Sequence, residues 1–240
     1  MISIVRSGER HFLDAGWLQS RYHFSFADHY DSSNMGWGAL RVLNDDRIAP
    51  GGKFGMHPHA NYEIFTVVLE GAIEHQDSAG HKGIIHSNGV QAMTAGKGVY
   101  HSESNPGDQP LHSLQIWITP DHKGLEPHWE QHAFKKSDFE NKLCPLVSGR
   151  SRVKAPLSMR QDAVVYRCGL AAGKTIEHPA SGALSAAKAS PYHYLFVISG
   201  QLSLNGEKMS EGDSAKIKGE KTLSLKAITS ADFLLFDLPA

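Results

Sequence analysis

The sequence predicts an all-β protein built as two tandem barrels, and three observations lead there. Short apolar runs rich in β-branched and aromatic residues recur along the 240-residue chain, turn-forming clusters separate them, and one run occurs twice with its turn. The first run is Phe65-Thr-Val-Val-Leu69, preceded by a turn signal at Pro50-Gly51-Gly52. Further turn signals at Asp77-Ser-Ala-Gly80 and Ser87-Asn88-Gly89 lead to the next run, Leu114-Gln-Ile-Trp-Ile118. Tyr194-Leu-Phe-Val-Ile198 follows, then turns at Asn205-Gly206 and Glu211-Gly212-Asp213, then Phe233-Leu-Leu-Phe236. No long amphipathic helical pattern interrupts them. Short helical turns are expected near 135–142 and 212–220.

Phe65-Thr-Val-Val-Leu-Glu-Gly71 resembles Leu195-Phe-Val-Ile-Ser-Gly200, and both continue into a hairpin. Two copies of one barrel unit account for this, and the length suits two units of roughly 110–120 residues. The strand pattern breaks at Lys135-Lys-Ser-Asp-Phe-Glu-Asn-Lys142, so the join is placed near 133–145. That gives a first unit of 1–134 and a second of 135–240, with a final strand at 231–238 that could pack back on the first.

Composition excludes several classes. A net charge of −1 and a pI near 6.9 provide no basic field for nucleic acid. The densest basic stretch, Arg150-Ser-Arg152-Val-Lys154, is short and reads as a solvated loop. Cys144 and Cys168 form neither a disulfide framework nor a thiol metal site. The opening Met-Ile-Ser-Ile-Val-Arg lacks a signal-peptide core, and no apolar run reaches the ~18–20 residues of a membrane span. A soluble cytoplasmic protein is expected, with no membrane association and no disulfide.

Thirteen of the 15 histidines lie in residues 1–132, which puts the candidate chemistry in the first unit. His57-Pro58-His59 and His101-Ser102-Glu103 fall in strand-like sequence, where residues i and i+2 share a face. If these strands face each other, three imidazoles and one carboxylate converge. Such a set suits a first-row transition metal with open positions. Spacing alone does not separate Glu103 from Glu63 as the carboxylate. Aligning Gly71 with Gly200 without gaps puts Ala186 and Lys188 opposite His57 and His59, so the second unit is expected to keep the architecture without ligands.

The other polar residues read as ordinary. His128-Trp-Glu-Gln-His132 has i,i+4 histidines, but Pro127 precedes them and the glutamate is displaced from the zinc-helix order. His75, His81 and His86 read as surface residues of a hairpin, and His112 as a satisfied core histidine that lines the barrel. Trp17, Trp37 and Trp117 read as core or inter-unit packing, and Cys168 as buried filler.

The stretch Gly51, five residues, His57-Pro-His59, three residues, Glu63 resembles the first half of the cupin signature, with the closing Gly71 one position late. Gly98-Val-Tyr-His101, three residues, Asn105 resembles its second half, with Gly96 where proline is usual. The resemblance narrows to the pirin family. It is carried by Gly16-Trp17-Leu18, Phe24-Ser-Phe26, Leu40-Arg-Val-Leu-Asn-Asp-Asp46, Phe54-Gly-Met-His-Pro-His59 and Met93-Thr-Ala-Gly-Lys-Gly-Val-Tyr-His-Ser-Glu103. Leu114-Gln-Ile-Trp117 and the Leu-Phe-Asp-Leu-Pro end at 235–239 add to it. The bacterial pirins described as quercetin 2,3-dioxygenases are the nearest in pattern.

The resemblance implies a bicupin whose metal is held by His57, His59, His101 and Glu103, with Glu103 also the catalytic proton acceptor. Glu63 would then orient a ligand imidazole. The implied cofactor is one divalent transition metal, iron(II) ahead of nickel, copper, cobalt, manganese or zinc. The implied partners are a small aromatic enol, a flavonol such as quercetin, and dioxygen, with loss of carbon monoxide. Some pirins are described as transcriptional cofactors, so the alternative is a non-enzymatic metal- or redox-sensing protein that binds a protein partner. A purely structural metal is a third reading. A monomer is expected, because the second barrel can cover the exposed sheet of the first.

Overall fold

The computed structural model describes residues 1–180 and 192–239. In the first half the strands are β1 (Ile2–Val5), β2 (His11–Asp14), β3 (Leu18–Tyr22), β4 (Leu40–Ile48), β5 (Lys53–His59) and β6 (Glu63–Glu70). They continue as β7 (Ala72–Asp77), β8 (Lys82–His86), β9 (Gly89–Thr94), β10 (Val99–Ser104), β11 (Leu111–Ile118) and β12 (His128–Ala133). A single helical turn, α1 (Lys136–Phe139), leads to the second half. There follow β13 (Cys144–Ser148), β14 (Leu157–Ser158), β15 (Val164–Leu170), β16 (Thr175–Pro179) and β17 (Tyr192–Ser199). The chain closes with β18 (Gln201–Leu204), β19 (Glu207–Ser210), β20 (Ser214–Lys218), β21 (Thr222–Ala227) and β22 (Ala231–Leu238).

Each half pairs a seven-stranded sheet with a four-stranded one. The first half has orders β12-β9-β6-β11-β4-β3-β2 and β5-β10-β7-β8. The second has β1-β20-β17-β22-β15-β13-β14 and β16-β21-β18-β19. The four apolar runs found in sequence are β6, β11, β17 and β22, neighbours within the large sheets. They read as continuous apolar runs because both faces are buried. One face closes its own barrel. The other joins a shared core in which Phe65, Val67, Leu114 and Ile116 meet Tyr194, Phe196, Leu234 and Phe236.

The repeat has a backbone cause. Gly71 and Gly200 stand at the same hairpin turn with φ of 77° and 78°. A Cβ at either would press on a carbonyl, Pro110 O at 3.0 Å or Ser230 O at 2.0 Å.

Several expectations are corrected. Residues 212–220 hold β20 rather than a helical turn, because Ala215 and Ile217 are buried with Lys216 and Lys218 turned outward, a period of two. The first strand, β1, does not lie in the first half's sheets: it pairs antiparallel with β20, Ile4 opposite Ala215. Arg150 is not solvated but 6% exposed. Ala186 and Lys188 lie outside the described residues. The second-half strand that pairs with β21 as β5 pairs with β10 is β16, which carries His178.

Candidate metal centre

β5 and β10 run antiparallel in the small sheet, with His57 opposite His101 and His59 opposite Val99. Alternation on β10 buries Val99, His101 and Glu103 and turns Tyr100 outward. Between His57↔His101 and Phe54↔Glu103 the register slips, so β5 bulges at Gly55-Met56. The bulge brings the Gly55 carbonyl under its own strand's histidine: His57 Nδ1 lies 2.7 Å from Gly55 O. Only a protonated Nδ1 can make that bond, so in the neutral ring Nε2 is the bare nitrogen.

The three imidazoles converge. His57 Nε2 is 3.1 Å from His101 Nε2, and the rings of His57, His59 and His101 have centroids 4.5–4.8 Å apart. Burial lowers His59 and His101 to about 3, with the neighbouring imidazoles adding to it, so both are neutral near pH 7. Neutral imidazoles are the form a metal takes. Two nitrogens each ~2.0–2.1 Å from one ion lie roughly 3–3.4 Å apart. The His57–His101 separation and the bare Nε2 therefore fit a shared divalent metal.

Glu103 is placed differently. Its carboxylate is grouped with His75 and His101 rather than with His57 and His59. Burial raises it, while three side-chain donors hold it. Gln91 Nε2 and Thr66 Oγ1 donate to Oε1 at 2.5 and 3.1 Å, and Gln115 Nε2 donates to Oε2 at 2.8 Å. These donors come from one transverse row of the large sheet, in which Gln115 pairs with Thr66 and Thr66 with Gln91.

His75 is fully buried, not on the surface. Glu103 stands opposite it across β10 and β7. Its Nδ1 is 3.4 Å from His101 Nδ1, its Nε2 is 3.4 Å from Asp77 Oδ2, and its ring stacks on Trp129. Burial acts to raise the Asp77 carboxyl, but hydrogen bonds from the His81 backbone and from His81 and His75 outweigh it and lower the group. The result is a chain His101–His75–Asp77–His81 leading out of the barrel.

Glu63 does not reach the imidazoles. It lies on the face of β6 that carries Phe65 and Val67, toward the second half. There Oε2 accepts from Thr94 Oγ1 at 2.9 Å and from the Arg160 N–H at 3.1 Å. His112, on the same outer face as Leu114 and Ile116, contacts Asp45 Oδ1 at 2.6 Å and does not line the barrel. Trp117 is not merely packing: it stands edge-on to His59 with centroids 4.8 Å apart.

A cavity of about 210 Å³ opens beside the imidazoles. Tyr22, Phe26, Phe54 and Trp117 give it aromatic walls, and Ser20, Asn44, Asp46 and Gln115 give it polar ones. Sequence reasoning passed over Asn44 and Asp46. Their parity was the available signal, since they alternate with Leu43 and Asp45 and share a face with Val42 and Ile48. Among the described residues, no helix is long and apolar enough to cross a membrane.

Comparison with known proteins agrees with this geometry. The pirin domain family matches residues 5–118, and the quercetinase C-terminal cupin domain matches residues 146–238. A pirin-like protein of Caulobacter vibrioides is 41% identical over 224 residues, covering 93% of this chain and 94% of that one. Quercetin 2,3-dioxygenase of Escherichia coli K12 is 39% identical over 246 residues, covering 100% and 99%. The crystal structure of YhhW from Escherichia coli superimposes with a TM-score of 0.92 at 39% identity, covering 100% of this chain and 98% of that one. Its complex with nickel(II) gives 0.91 at 38%, covering 100% and 99%. With two cupin halves, a histidine cluster at the first and full-length relatives at this identity, the chain belongs to the pirin family.

Proposed function

We propose that this protein is a metal-dependent dioxygenase that cleaves flavonols such as quercetin with release of carbon monoxide. His57, His59, His101 and Glu103 would hold one divalent metal, iron(II) in our reading. The observation that carries this is three converging imidazoles, with the His57 and His101 Nε2 atoms 3.1 Å apart and His57 and His59 at the wall of an aromatic-lined cavity. The name of the E. coli relative supports the substrate class.

When bound, the metal supplies Lewis acidity to an enol oxygen and open positions for ligands. The chain's own residues do the rest. His57 is fixed in its Nε2-bare tautomer by Gly55. His101, were it to hold the metal through Nε2, would donate its Nδ1 proton to His75, which would pass the same constraint to Asp77 through its own Nε2–H. Trp117, Phe26, Tyr22 and Phe54 hold a planar ring and exclude water. Glu103, desolvated and steadied by Gln91, Thr66 and Gln115, accepts the proton of the ligand's 3-hydroxyl.

The test is oxygen uptake and carbon monoxide release with quercetin, using metal-free protein reconstituted separately with iron(II), nickel(II), copper(II) and zinc(II). Turnover should track one redox-active metal and vanish in His101→Ala. Glu103→Gln should keep its metal and lose turnover. Stoichiometric metal binding without turnover by any metal would sink the enzyme reading in favour of a metal-sensing regulatory protein.

A further inference from the structure

The cavity has a second polar feature that holding a metal leaves unused. Asn44 and Asp46 follow one another on the inner face of β4, 3% and 6% exposed, and line the cavity together with Ser20 of β3. They belong to the large sheet, whereas His57 and His59 belong to the small one, so the two groups meet across the cavity. Asn44 sits between Tyr22 and Gln115 in the transverse row whose Gln115, Thr66 and Gln91 hold Glu103. Gln115, Thr66 and Gln91 spend their donors on Glu103. Asn44 Oδ1 has no hydrogen-bond partner and is cut off from bulk water.

Asp46 accepts a hydrogen bond from the Ser20 hydroxyl. Burial pushes its carboxyl up to about 7, against the Ser20 bond and with help from Asp45 and Glu103. The protonated form of that carboxyl offers both a donor and an acceptor, and the ionised form accepts. A buried acceptor without a donor is destabilising, and native interiors seldom keep one without a use. A carboxamide whose oxygen is unclaimed can turn either end to a ligand.

We infer that Ser20, Asn44 and Asp46 form a hydroxyl-reading wall, which makes this cavity selective for polyhydroxylated aromatic ligands over bare ones. The inference rests on the flavonol reading above and adds to it the residues that set specificity. The aromatic walls accept any planar ring of suitable size by area alone. A polar wall discriminates, because a ligand without hydroxyls would cover the Asn44 amide and the Asp46 carboxyl and satisfy neither.

The experiment uses the full chain loaded with zinc(II), which is redox-inert and leaves the ligand intact. Quercetin and 3-hydroxyflavone, which share the 3-hydroxyl and 4-carbonyl but differ in the remaining hydroxyls, are titrated by absorbance. Wild type should bind quercetin about tenfold tighter or more. Asn44→Leu and Asp46→Leu, each with its zinc content verified, should bring the ratio toward one by weakening quercetin alone. Asn44→Ala serves if the leucine variants do not fold. Equal affinities in wild type, or a ratio that survives the substitutions, would overturn the wall while leaving the flavonol reading intact. Binding of neither ligand by wild type would overturn both.

Discussion

The two halves share one frame and fill it oppositely. In the first, β5 presents His57 and His59 to a cavity with His101 of β10 against them, and the polar row Asn44-Gln115-Thr66-Gln91 separates two small apolar clusters. In the second, the interior is one continuous apolar cluster. Among the described residues it also holds a buried polar knot of His178, His193, Asp237 and Arg150. His193 faces Asp237 across β17 and β22, as Ile64 faces Trp117 across β6 and β11. His193 Nε2 and His178 Nε2 lie 3.4 and 3.6 Å from the Asp237 oxygens. Arg150 closes on the same carboxylate with two nitrogens at 2.5 and 3.1 Å. Burial would raise Asp237, but its contacts with His178 and Arg150 hold it far below the usual carboxylate range. A buried carboxylate among imidazoles needs a cation. The second half draws one from its own chain, whereas in the first Glu103 is held by neutral amides and a hydroxyl and Asp77 by His75 and His81, with no Lys or Arg bonded to either among the described residues.

The strongest way to break this comparison is Arg150→Ala. Asp237 would be left buried without its guanidinium, and we expect a loss of about 3–5 kcal/mol in stability by urea denaturation. A loss below 1 kcal/mol would mean that the knot is not held by charge.

His75→Leu tests the other half. It removes the acceptor that fixes the His101 tautomer but leaves His57, His59, His101 and Glu103 in place. Zinc affinity, measured by competition with a chelator, should fall roughly 10–100-fold. Unchanged affinity would reduce His75 to packing against Trp129.

A pH series sharpens the contrast within the second half. Burial lowers His193 to about 4 in the folded chain, against the ordinary value of 6.5. Between those values the unfolded state binds the proton and the folded state does not. Stability therefore falls as the pH drops from 6.5 toward 4, by at most about 1.4 kcal/mol per pH unit from this group. His193→Leu should flatten that slope, and an unaltered slope would assign it elsewhere.

Glu63→Gln should do least. Gln keeps an acceptor for Thr94 and the Arg160 N–H, so zinc affinity should stay at the wild-type value. A clear drop would return Glu63 to the metal centre.

Much of the frame was legible because it is local. The turn residues, the apolar runs and the pairing of Gly71 with Gly200 follow from backbone sterics and burial, which act over a few residues. The same holds for His57, His59, His101 and Glu103, since a period of two puts each pair on one face wherever the strand goes. Over 212–220 the expected helical turn gives way to β20, where Lys216 and Lys218 alternate with the buried Ala215 and Ile217.

What the sequence determined by itself, then, is which residues form strands and which side of each strand they share. Only the tertiary structure decided which faces meet. It put His75 behind His101 because β7 pairs with β10, and turned Glu63 toward the second half because the large sheet packs there. It sent β1 to the edge of β20 and buried Arg150 against Asp237. Strand pairing and sheet stacking join residues tens to more than two hundred positions apart, and no local period carries that information.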